Sequence, residues 1–156
     1  MTLDDLQRKL AASLAAGSEG GPEGYDAGAI ERVRKSLESK RRRAVRHLLP
    51  RLRAALGDRW DDRFHEHARR YTPEGLLHHV DDAWEFAETI IRTREPDLWP
   101  AAHDDLVLLR LHYARDVRAG AERIRERRGF FVGWLRASPR RLVVRLPGGK
   151  ILDVGW

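Results

Sequence analysis

The sequence predicts a mainly α-helical chain, a bundle of about five to six helices closed by a C-terminal β-hairpin. Three observations predict it. Leucine, isoleucine, valine and aromatic residues recur at three- and four-residue steps through most of the chain. Proline and glycine punctuate that pattern at intervals suited to short helices. Near the end the pattern changes: LVVRL and KILDV, both β-branched and apolar, flank Pro147-Gly148-Gly149. The 156 residues suit one compact unit, with 1–128 as a helical domain and 129–156 as connector and hairpin.

Taken in order, Leu3, Leu6, Leu10 and Leu14 give an amphipathic helix over 3–16, which GSEGGPEG at 17–24 interrupts. The next helix starts near Asp26, with Ile30, Val33, Leu37, Ala44, Val45 and Leu48 as its buried stripe. Pro50 has no amide to donate, so that helix ends near Leu49, and Pro50 opens a short one carrying Leu52 and Leu56. Gly57 stops it and Asp58 caps the next, where Trp60, Phe64, Ala68 and Tyr71 form a bulky apolar face. Thr72-Pro73 closes that helix and is expected to start another, with Leu76, Val80, Ala83, Trp84, Ala87, Ile90 and Ile91 buried. After REPDLWP, a long helix is expected over 101–128, with Asp104 and Asp105 in its first turn and Arg123, Arg125, Arg127 and Arg128 in its last. FFVGWLRASP reads as either a short helix or a buried connector.

Composition narrows the function. No apolar run approaches the roughly 20 residues that span a bilayer, and MTLDDLQRKLAASL lacks the cationic start of a secretory signal. With no cysteine there is no disulfide, thiolate metal site or cysteine nucleophile, and a cytoplasmic setting is expected. The net charge is +6, and only four of the 30 basic residues are lysines. Eleven cations lie between Ile30 and Arg59 against Glu31, Glu38 and Asp58. Lys35, Arg42 and Arg46 share a helix face there, fit for phosphate, an acidic peptide or nothing beyond solvent. No zinc-finger, winged or RNA-binding signature accompanies them.

The catalytic patterns are weak. His65 and His67 diverge on a helix, and His78, His79 and His103 form no diagnostic ligand spacing. No serine lies in a nucleophile elbow, and Asp61/Asp62, Asp81/Asp82 and Asp104/Asp105 are adjacent and so diverge. Helix-start charge accounts for these acids better than acid–base work. The expectation is therefore no catalytic residue, no metal site, no cofactor and no enzyme activity. The aromatic residues Trp60, Phe64, Trp84, Phe86, Trp99, Phe130, Phe131 and Trp134 read mostly as core.

A lone hairpin is marginally stable in water, so this one must lie on the helices. Leu142, Val144 and Leu146 point one way and Val143 and Arg145 the other. A free border along 142–146 or 151–154 either docks an extended peptide by strand addition or is a simple edge guarded by Arg141, Arg145 and Lys150. Trp156 follows the last strand, placed to pack back or to anchor a partner.

Several segments carry a family resemblance: LQRKLAASL at 6–14, LLPRLRAALGDRWDDRFHEHARRYTP at 48–73, DDAWEFA at 81–87 and PDLWPAAHDDLVLL at 96–109. Their order resembles the helical partner-protein family, once described as a DNA-binding domain, that accompanies multinuclear non-heme iron oxidases in ribosomal-peptide modification of the methanobactin type. The resemblance implies a non-catalytic subunit that holds the oxidase and presents the precursor peptide, with iron in the oxidase. Under it, Arg42, Arg43 and Arg46 attract acid, while Leu142, Val143, Val144, Arg145, Leu146, Ile151, Leu152, Val154 and Trp156 form the peptide- and partner-binding border. The alternative is a DNA-binding or regulatory protein that uses the basic helix at 30–59. No membrane partner is expected.

Overall fold

The computed structural model describes residues 26–118, 121–136 and 140–155, so the expected 3–16 helix and Trp156 lie outside the described residues. Helix α1 spans Ala27–Leu48 and the short α2 spans Pro50–Leu56. A 3-10 turn, Gly57–Arg59, leads into α3, Trp60–Arg70. Helices α4, His78–Thr93, and α5, Trp99–His112, complete the helical part. Among the described residues there are thus four helices of eleven residues or more, where five to six were expected, with a seven-residue helix joining the first two of them.

Local chemistry explains the boundaries. The Asp26 carboxylate accepts from the Gly28 amide at 2.9 Å, an N-cap for α1. Pro50 occupies the first turn of α2, and Gly57 ends that helix at φ 55°, a conformation that costs a Cβ-free residue little. Asp58 does not cap α3: it falls inside the 3-10 turn, and Arg59 stands at the cap position. Nor does Thr72-Pro73 start a helix. Residues 71–77 are irregular, α4 begins at His78, and Leu76 is 97% exposed rather than buried.

The main core joins Val45, Leu49, Leu52, Leu56, Trp60, Phe64, Val80, Ala83, Trp84, Phe86, Ala87, Ile90, Leu98, Ala102, Leu106 and Leu109. Phe86 stands edge-on to Trp60 and Phe64, with centroids 5.5 and 5.6 Å apart, an arrangement favoured by the ring quadrupoles. The α1 stripe is buried only in part. Ile30 and Val45 are core, but Val33 and Leu37 are exposed because α3 and α4 cover the C-terminal half of α1 more fully.

The largest departure concerns 113–128. Helix α5 stops at His112, and Tyr113–Arg118 (β1) pairs antiparallel with Ala121–Glu126 (β2), Arg115 opposite Ile124. Of the arginines expected to complement a helix end at 128, Arg127 instead serves the end at 112, while Arg125 lies 3.5 Å from Asp116 across the ribbon. Arg127 returns along the ribbon, and its Nε donates to Arg110 O at 2.6 Å, one of the terminal carbonyls of α5. Arg115 reaches Asp81, Glu85 and Glu88 of α4 at 3.1–3.3 Å, a set of partners the extended ribbon meets.

Within FFVGWLRASP, Phe131–Leu135 forms strand β3 rather than a short helix or a buried connector. It pairs with β4, Arg141–Arg145, which pairs with β5, Ile151–Gly155, in the order β3-β4-β5. The β4–β5 hairpin therefore forms as expected, with Gly148 and Gly149 at φ 91° and 89° in its turn. A second small core binds this sheet to α5 through Val107, Leu111, Leu135 and Val143. Helix α5 is thus buried on two sides. No described helix is long and apolar enough to cross a membrane.

Candidate peptide-docking surface

The sheet contradicts one expectation about its borders. Strand β4 has β3 on one side and β5 on the other, so Leu142, Val143, Val144 and Arg145 offer no open backbone edge. Among the described residues the outer sides of β3 and β5 are unpaired. Strand β5 is exposed along its whole length, Ile151, Leu152 and Val154 included. The Leu146 amide donates to Lys150 O at 2.9 Å, which sets the alternation of the hairpin ladder. In that alternation the amides of Ile151, Asp153 and Gly155 point away from β4.

The two faces of β4 alternate as the spacing predicts, and the face carrying Val143 is the one turned to the helices. Val143, not the Leu142/Val144 pair, is buried against α5, while Leu142, Val144, Arg145 and Leu146 are half-buried. On β5, Asp153 accepts from Arg141 Nε at 2.9 Å and Nη2 at 2.6 Å, a forked pair across the strands. That pair uses one of the three cations expected to guard the edge.

The arginines of α1 do not act as one cluster. Arg42 lies 3.4 Å from Asp61, and Arg34 and Lys35 both approach Glu31. Arg41 turns inward: its Nε and Nη2 each donate to the buried Asp82 at 2.9 Å, and Nη2 also donates to Tyr71 O. Arg43 and Arg46 are exposed, as is Lys40. Helix α1 rests on α2, α3 and α4, whereas the sheet rests on α5. The two halves of the expected binding site therefore stand on different elements.

Sequence reasoning missed the buried polar groups. Besides Arg41, Asp82 receives His67 Nε2 at 2.9 Å, and His67 stacks with Tyr71 at 5.4 Å. Burial pushes the Asp82 carboxyl up, but the bonds from Arg41 and His67 outweigh it and hold it below the usual carboxylate range. Asp81 takes the Tyr71 hydroxyl and the Glu74 amide. Burial, and then that bond to Asp81, raises the Tyr71 phenol. Asp105, wholly buried, accepts from the Leu52 amide at 2.8 Å, and burial raises it to about 6. The only signal in the sequence was the pairing of acids, whose divergence on a helix sends each to a different neighbour. His65, the other histidine of HEH, meets Glu38 at 2.9 Å. Among the described residues no three histidine or acidic side chains gather as metal ligands.

A protein-family model, the SCO6045-like C-terminal domain, matches residues 5–92, more than half of the chain. The chain belongs to the SCO6045-like C-terminal domain family. The matched span covers α1 through almost all of α4, so α5 and the β3-β4-β5 sheet lie beyond the part that defines the SCO6045-like domain. No curated protein and no solved structure matches the chain.

Proposed function

We propose that this SCO6045-like chain is a non-catalytic recognition subunit that takes up an extended peptide along β5 and presents it to an enzyme. One observation carries the reading: among the described residues β5 is an exposed strand paired on one side, with the amides of Ile151, Asp153 and Gly155 directed away from β4. Each such amide left in water is a ready donor for an added strand, and main-chain pairing supplies affinity independent of the peptide's side chains. The family resemblance read from the sequence adds the identity of the partners, an iron-dependent oxidase and the ribosomal precursor peptide it modifies. The test is co-expression of the full chain with a genomically adjacent oxidase and precursor. Co-purification of the three, lost on Ile151→Pro, is the expected result. Absence of both complex and peptide binding overturns the reading.

A second reading rests on Lys40, Arg43 and Arg46, exposed on α1 with no ion pair among the described residues. Binding to duplex DNA through these cations would weaken steeply between low and physiological salt, because each neutralised phosphate releases counterions. Negligible duplex affinity at low salt removes this alternative.

A further inference from the structure

The three-stranded sheet carries apolar side chains on both faces. In register, Val132 lies beside Val144 and Val144 beside Leu152, while Trp134 lies beside Leu142 and Leu142 beside Val154. These six side chains share the face opposite the one that Val143 and Leu135 bury on α5. Val132, Trp134, Leu152 and Val154 are 49, 40, 41 and 52% exposed. A sheet with one wet face shows polar residues at alternate positions. Strands apolar at both parities, such as FVGWL and LVV, are those of a sheet covered on both sides.

We propose that this outer face seats an acidic amphipathic helix contributed by a partner protein. Size supports a helix. Three strands of five residues form a patch about 10 Å wide and 17 Å long, and a helix of three turns has about those dimensions. The inner face of the same sheet is already covered by one helix, α5. Charge selects the partner. Arg136 and Arg140 stand exposed at one end of the sheet and Lys150 at the other. The only acid among the described sheet residues, Asp153, is held by Arg141. Arg136, Arg140 and Trp134 also wall a cleft of about 580 Å³ against Trp99 and Pro100, where a carboxylate and an apolar side chain can enter together. A second copy laid face to face would set this cationic rim against itself.

The probe is a fluorescent 14-residue leucine–glutamate amphipathic peptide, compared with its leucine–lysine counterpart by anisotropy on the full chain. The acidic peptide should bind at least tenfold more tightly. Leu152→Thr/Val154→Thr, which keeps strand propensity, should weaken it at least tenfold with an unchanged circular dichroism spectrum. Arg140→Glu/Lys150→Glu, two exposed substitutions, should abolish the preference for acid. These changes leave the outward amides of β5 in place, so failure here is separable from failure of strand addition. Equal binding of both peptides, binding of neither, or indifference to these variants overturns the proposal. So does a concentration-dependent dimer that the threonine variants disperse, or binding to phosphatidylglycerol vesicles without binding to the peptide.

Discussion

Asp104 and Asp105 are neighbours in sequence and serve opposite sides of α5. Asp104 Oδ1 accepts from the Arg136 amide at 2.6 Å, where β3 ends, while Asp105 Oδ2 accepts from the Leu52 amide at 2.8 Å, in the first turn of α2. One dipeptide thus anchors the sheet to the helix on one side and caps another helix on the other. The Leu52 amide is one of the four donors that a helix start leaves unpaired, so Asp105 acts as a cap supplied from a distant part of the chain.

The Asp105 site sets a pH dependence. Its carboxyl is raised to about 6, above the ordinary value of 3.8. The folded chain therefore binds this proton more tightly than the unfolded chain does. Stability from this group is full below about pH 4 and declines as pH rises to about 6. The difference in melting temperature between wild type and Asp105→Asn should change across that window and level off above it. A constant difference would contradict the assignment. Asp105→Ala removes the cap as well, at a cost of about 1 kcal/mol.

Arg41 and Asp82 form a forked pair with His67 as third member, and Asp82 is fully buried. Deleting the acid strands a guanidinium and an imidazole together. Asp82→Ala should destabilise the fold by about 3–5 kcal/mol in urea denaturation. A loss below about 1 kcal/mol would show that solvent already screens the pair. The depressed pKa works in the opposite sense to Asp105: this stabilisation is present above the ordinary carboxylate value and is lost as pH falls through the lower folded value.

Gly133 lies where the sheet packs tightly on the helix. A Cβ there would lie 2.4 Å from Val107 Cγ1 and 2.8 Å from Phe131 Cε1. Gly133→Ala should cost about 1–3 kcal/mol by pushing β3 off α5. Adding Val107→Ala clears the nearest atom, so the double substitution should cost less than the two singles added together. Strict additivity in the double-mutant cycle would mean that the two positions do not meet.

The outward amides of β5 give a direct test of strand addition. Ile151→Pro removes one donor directed away from β4, whereas Leu152→Pro removes one that pairs with β4. The first should abolish binding of a precursor peptide while leaving the melting temperature within a few degrees of wild type. The second should lower stability as well. Retention of full peptide affinity by the first variant would exclude this edge.

Much of the fold was legible because its signals are local. Pro50, Gly57 and Pro147-Gly148-Gly149 act through φ and the missing amide, and each sits where those constraints place it. The ribbon at 113–126 was not legible. Its arginines recur with spacing that also fits a helix, and what selects the extended form is distant: Arg115 meeting Asp81, Glu85 and Glu88, and Arg127 reaching the end of α5. The candidate docking surface was half legible. The hairpin was visible in LVVRL and KILDV, but that β4 would be the central strand depended on FVGWL pairing with it. The acids failed for the same reason as the ribbon, since capping the Leu52 amide from Asp105 leaves no trace in either segment alone.

The placement of α5 has a consequence for how the chain comes apart. Leu106 and Leu109 belong to one core and Val107 and Leu111 to the other, so neither can melt while the shared helix stays dry. The sheet, although it lies beyond the family-matched span, is thereby drawn into the same cooperative unit as the helices.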